Sequence, residues 1–190
     1  MSADQIRTRL GELAATAAAT AAGCLPEIER AVVLVRDTVA RGGTLFFCGN
    51  GGSAADAQHM ATEYVVRYMK NRRALAAIAL TTDTSLLTAA GNDLGFDHIF
   101  ERQVQALVRR GDLLMIHSTS GNSPNVLLAA TAARAKGATV IAFSSRDGGK
   151  LRALADLNIV IPTDRTDRAQ ELHLHIQHVI CELVEHDIHD

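Results

Sequence analysis

The chain has 190 residues, 47% of them hydrophobic and 21% charged, with a formal net charge of −2. That length and apolar content are enough for one domain with a buried core, held without disulfide or metal staples. A charge so near neutrality leaves no electrostatic footprint for nucleic acid or an anionic membrane, and no segment approaches the roughly 18 apolar residues of a membrane span.

Cys24, Cys48 and Cys181 are an odd number at wide spacing, which argues against a disulfide framework or a thiolate zinc site and fits a reducing, cytoplasmic setting. The Ala-rich stretch over residues 14–22 is the nearest thing to a signal-peptide core. Asp4 and Glu12 precede it, however, and it reads better as an amphipathic helix. Residues 4–41 carry two helical stretches, with Pro26 in the first turn of the second and Gly42-Gly43 closing it. They predict an N-terminal helical hairpin over residues 1–42, serving oligomerisation, ahead of an α/β core over 43–190, all in one domain of 1–190.

From Thr44 onward, short apolar runs at 44–48, 75–80, 112–117, 138–143 and 157–161 alternate with amphipathic stretches. Runs of this kind are strands buried on both faces, so the five predict a doubly wound parallel sheet. The last segment, residues 166–189, predicts a long helix that leaves the sheet, with Leu172, Ile176, Val179, Ile180 and Leu183 as its apolar stripe. Hairpin and terminal helix together offer more apolar surface than one sheet can cover. They predict a homo-oligomer, a tetramer with helices packed between subunits, against the alternative that they only cap their own sheet.

Two strand-to-helix turns carry the anion-binding signal. In FFCGNGGSAADAQH, glycines permit close backbone approach and the following helix, with Ser53 at its cap or first turn, offers free N–H groups to an anion. In HSTSGNSPNV, the hydroxyls of Ser118, Thr119, Ser120 and Ser123 surround a turn that Gly121 permits, and Pro124 suits the next helix start. Either turn alone reads equally well as ordinary turn chemistry. Both at the carboxyl edge of parallel strands point to a ligand there. Neither is a P-loop, and the third glycine of a G-x-G-x-x-G fingerprint would fall at Ala54, so a nucleotide cofactor is not expected. With little Lys or Arg nearby, the anion should be small, such as a sugar phosphate.

GNGGSAADAQHMATEY, AAGNDLGFDHIFERQV, HSTSGNSPNVLLAA, RDGGK and DRAQELHLHIQH, in this order from about Gly43 to the end, resemble sugar isomerase (SIS) domains and, within that group, the phosphoheptose isomerases. The resemblance implies a flavodoxin-like SIS sheet in a cytoplasmic homotetramer. It implies interconversion of sedoheptulose 7-phosphate and D-glycero-D-manno-heptose 7-phosphate, the first step of ADP- or GDP-heptose synthesis for lipopolysaccharide or another glycan.

By the same resemblance, Glu63 is the base that carries a proton between C1 and C2 through an enediol, and His178 is the acid/base at the oxygens. His59, Glu63, Gln170 and His178 match the family's ligands for one zinc per subunit. A His/Glu pair at i, i+4 is a plausible zinc half-site, though alone it reads as a solvated helix face. A carboxylate bound tightly to zinc is a poorer base, so either Glu63 loosens from the metal in turnover or the metal acts as a Lewis acid on the carbonyl. Asn50, Gly51, Gly52, Ser53, Ser118, Thr119, Ser120 and Ser123 are implied substrate contacts, the serine turn taking most of the phosphate. Asn92, Asp93, Asp167 and Gln170 are implied at the sugar. Without the family, Asn92-Asp93 reads as a helix stop and a turn.

His173, His175, His178, His186 and His189 could pass for a metal tract. On a helix His175 and His178 share a face while His173 points elsewhere, so only His178 is retained. The chain departs from relatives at Ala54-Ala55 and at Thr62, which bears on substrate preference. The rival readings are a non-catalytic SIS module that binds a phosphosugar or an initiator protein, and an isomerase of shorter phosphosugars. The presence of both Glu63 and His178 favours the enzyme.

Overall fold

A computed structural model describes residues 2–188. The chain begins with α1 (Ala3–Gly23) and α2 (Leu25–Ala40) and enters the sheet through β1 (Leu45–Gly49) and α3 (Gly52–Val65). β2 (Ala77–Ala79), α4 (Thr84–Asp93), a 3-10 turn (Phe96–His98) and α5 (Glu101–Leu107) lead to β3 (Leu113–His117). α6 (Pro124–Ala135), β4 (Thr139–Ser145), α7 (Leu151–Leu154), β5 (Leu157–Ile161) and α8 (Thr166–Asp187) complete it. Ser2 and Gln5 close a capping box at the start of α1, and a proline occupies the first turn of α2, so both hairpin helices start where their end signals lie.

Each of the five apolar runs holds one strand, and all pair in parallel in the order β2-β1-β3-β4-β5. Alternation along the strands sends Phe47, Met115, Phe143 and Ile159 to the face covered by α2, α3 and α8. Phe46, Cys48, Leu114, Ile116 and Val140 face α4 to α7. With both faces covered, the doubly wound sheet stands as expected. The strand order reverses between β1 and β3, and the crevice beyond their carboxyl ends is where such sheets bind ligands.

Two expectations change. β2 keeps only three residues of its run, and Ile78 is 41% exposed, because the strand pairs with β1 alone at the sheet edge. The long terminal helix does not leave the sheet: α8 packs against α2, α3, β4 and β5. Its buried line runs through Leu172, Ile176, Ile180 and Val184, while Leu183 is 47% exposed. Steps of four follow the helix pitch closely enough to keep one line on the core, and Leu183 falls off it. His189, at the predicted end of this helix, lies outside the described residues. By contrast, Thr20 is the buried residue among the 21 of α1. The three cysteines are buried free thiols. No described helix is long and apolar enough to cross a membrane.

Candidate active site

The two predicted turns flank the β1/β3 switch. Gly51, at φ 57°, leads the chain out of β1 to the cap of α3, which places the positive start of that helix at the carboxyl edge, where the Ser53 and Ala54 N–H groups donate to the Asn50 and Gly51 carbonyls at 3.0 and 3.1 Å. Ser53 is buried in its first turn. The second turn leaves β3, and Ser123 caps α6, with no side-chain bond, ahead of Pro124. Ser120 Oγ accepts the Asn122 N–H at 3.2 Å, and Ser145 Oγ donates to the Thr119 carbonyl at 2.8 Å. Gly121 has φ 62°, and a Cβ there would come 2.1 Å from the Gly148 carbonyl oxygen. Only glycine lets the β4–α7 turn close against the serine turn.

The turns are bound to each other. Asn50 and Asn125 exchange two side-chain hydrogen bonds, each 2.9 Å, one amide from each turn. Asn125 is buried. The pair engages one hydrogen of the Asn50 amide, so the side chain that shapes the crevice keeps a second donor.

A second group forms where α3 meets α8. His59 Nε2 lies 3.3 Å from Glu63 Oε1 on the next turn of α3, and 3.0 Å from His178 Nε2 on α8. Ligand atoms of all three residues lie within 4.8 Å of one another. Burial lowers the His178 pKa, the neighbouring His59 lowers it further, and Glu63 opposes both, so the imidazole stays largely neutral near pH 7. Two imidazole nitrogens and a carboxylate are a donor set that catalytic zinc sites use, so these residues fit the metal.

Gln170 sits at the start of the same seam. A Cβ on Gly52 would fall 2.8 Å from Gln170 Oε1, so the bare glycine backbone makes room for that amide. The pairs Gly52 with Gln170 and His59 with His178 run in the same order along both helices, so α3 and α8 pack in parallel. Asp167 is exposed and bound twice by Arg165, at 3.1 and 2.6 Å, which holds its carboxyl down at about 2. Asn92 and Asp93 end α4, exposed, with Asn92 Nδ2 donating to Asp93 Oδ1 at 2.7 Å. No hydrogen bond among the described residues joins them to the turns or the seam.

Several neighbours were not visible in the residue pattern. The Tyr68 ring stacks on His178 at 5.4 Å and 13°. It belongs to a strap between α3 and β2 that is held by Glu185: the N–H groups of Tyr68, Met69 and Lys70 donate to its carboxylate at 3.0, 2.7 and 2.8 Å. Arg72 Nε adds a buried ion pair with Glu185 at 3.0 Å, and its Nη2 donates to the Glu63 carbonyl at 2.8 Å. Burial opposes ionisation of Glu185, but these donors win and hold its carboxyl below the ordinary range. Asp56, one turn before His59, has a buried Oδ2 without a hydrogen-bond partner among the described residues. Burial pushes its carboxyl up to about 6 against the pull of His59. Among the other histidines, His173 is buried with Nε2 3.1 Å from the Ser144 carbonyl, while His175 and His186 are exposed.

A family model described as the SIS domain matches residues 10–145. The phosphoheptose isomerase of Helicobacter hepaticus is 51% identical over 160 residues, covering 84% of this chain and 82% of that one. Among solved structures, the phosphoheptose isomerase of Neisseria gonorrhoeae is similar at 42% identity and a TM-score of 0.91, over 96% of this chain and 98% of that one. That of Francisella tularensis is similar at 33% identity and a TM-score of 0.94, over 98% and 100%.

Proposed function

Because the chain belongs to the phosphoheptose isomerase family of SIS-domain proteins, we propose that it interconverts sedoheptulose 7-phosphate and D-glycero-D-manno-heptose 7-phosphate. The observation that carries this reading is the meeting of Glu63 with His178, from helices far apart in the chain, beside two turns that suit a phosphate.

The positive starts of α3 and α6 and the hydroxyls of Ser53, Ser118, Thr119, Ser120 and Ser123 hold the phosphate end. Gln170 meets the sugar, and Asp167, Asn92 and Asp93 bind its hydroxyls or help open the ring. With the sugar held in its open form, Glu63 takes the proton from one of C1 and C2 and returns it to the other. His178 moves a proton between O1 and O2, so the enediol forms and collapses with no net gain or loss. Tyr68 covers one face of the His178 ring and limits its rotation. His59, Glu63 and His178, with Gln170 as a fourth ligand, would hold one zinc. When bound, zinc would polarise the sugar carbonyl as a Lewis acid.

Assembly belongs to the same reading. α1 leaves Ile6 and Leu10 exposed at 53% and 69%, and an apolar groove between α1, α2 and α8 is lined by Ala17, Leu25, Ile28 and Ile176. Such surface supports packing between copies, and the reading is a cytoplasmic homotetramer with residues 1–190 as one unit whose hairpin mediates that contact.

The test is an assay with sedoheptulose 7-phosphate on wild type and Glu63→Gln. The expected loss in kcat is roughly a thousandfold, within the range a positioned general base supplies, with KM within about threefold. Equal rates would remove Glu63 as the base. Faster turnover of a pentose or hexose phosphate would move the substrate assignment to a shorter sugar.

A further inference from the structure

Beneath the site lies a buried polar layer with no part in the chemistry above. His117, the last residue of β3, is fully buried, and its Nε2 is hydrogen-bonded to the side-chain amide of Gln177 on α8. The Ser53 backbone lies beside the same ring. Phe47, Phe143 and His173 surround it at ring-centre distances of 6.5, 5.4 and 6.4 Å. His173 Nδ1 and Gln177 Oε1 are buried with no hydrogen-bond partner among the described residues. Apolar side chains would fill this space without leaving polar atoms unpaired, so core filling alone does not account for the pair.

Its position does. The serine turn begins at the next residue after His117. Ser53 opens the helix that carries His59 and Glu63, and Gln177 adjoins His178. One imidazole thus touches all three elements from which the site is built. Burial, reinforced by His173, lowers the His117 pKa to about 3, although Gln177 and Ser53 oppose the shift, so the ring stays neutral and keeps one nitrogen as an acceptor.

We propose that His117 and Gln177 form a positioning pair that sets α8 against β3 and the start of α3, holding His178 in register with Glu63. The proposal rests on the assignment of Glu63 and His178 made above.

Steady-state kinetics and thermal unfolding of His117→Leu, Gln177→Leu and the double variant, beside Glu63→Gln, test it. The double variant is expected to lose tenfold or more in kcat with KM within about threefold, while its thermal midpoint matches or exceeds that of wild type, since neither polar group is left unpaired. The single variants should lose as much kcat as the double rather than half the logarithm each, because the pair acts as one unit. Should a single variant fail to fold, the double carries the test. A double variant within twofold of the wild-type kcat, a loss confined to KM, or single losses that multiply would each overturn the proposal. Glu63→Gln at the wild-type rate breaks the site assignment and this proposal with it. An inactive Glu63→Gln beside a fully active double variant breaks this proposal alone.

Discussion

The two halves of the site are made by different means. The grip at the sheet edge rests mainly on backbone, the starts of two helices and a glycine at φ 62°, with one side-chain amide pair tying the two turns together. The seam between α3 and α8 is built from side chains, and its closing contact joins residues 119 apart in the chain. Backbone geometry is set by short stretches and tolerates little change in side-chain size. The seam tolerates change along the helices but depends on their register. In the reading above, the first half governs how tightly the phosphate is held and the second governs the rate of proton transfer.

The strongest way to break this division is Gly121→Ala. Its Cβ would fall 2.1 Å from the Gly148 carbonyl oxygen at a positive φ, so the two turns must part. A KM at least tenfold higher is expected, with stability lower by about 2–4 kcal/mol, read from steady-state kinetics and urea unfolding. A fall in kcat at unchanged KM would show that the grip also serves the chemistry. Asn125→Ala should act in the same sense and less. It removes both hydrogen bonds that the half-buried Asn50 amide makes with Asn125, for about 1–2 kcal/mol and a KM about threefold higher, with kcat held.

The smallest effect comes from pH and sharpens the comparison, because the layer beneath both halves contains two neutral imidazoles. Burial lowers the pKa of His117 to about 3 and of His173 to about 4. Below the ordinary histidine value of about 6.5, the unfolded chain takes up protons that the folded rings refuse, so stability falls with pH until the folded values are reached. Each ring can contribute a slope of ~1.4 kcal/mol per pH unit at most. The urea midpoint of wild type should therefore drop more steeply from pH 6.5 to 4 than that of His117→Leu/Gln177→Leu. Parallel curves would show that His117 is open to solvent.

Much of this was legible in the residues. Five continuous apolar runs gave the five strands, since a buried parallel strand needs no polar face, and both turns announced themselves through Gly, Asn and Ser. The edge position of β2 was invisible, because pairing on one side only is a property of the sheet. His59 and Glu63 follow from helical spacing, but their meeting with His178 came from family resemblance alone. Asn125, Tyr68 and Glu185 escaped for a common reason. Asn125 meets Asn50 across 75 positions, and Tyr68 meets Glu185 across 117, while each looks locally like an ordinary helix or loop residue. His117 read as the polar end of a strand, and nothing near it in sequence hinted at Gln177.

The Glu185 clamp has a practical side for anyone reshaping this molecule. Trimming α8 short of that residue would leave the N–H groups of Tyr68, Met69 and Lys70 and the Arg72 guanidinium without their common anchor. The aromatic lid over His178 and the grip on the Glu63 carbonyl would come loose in the same cut.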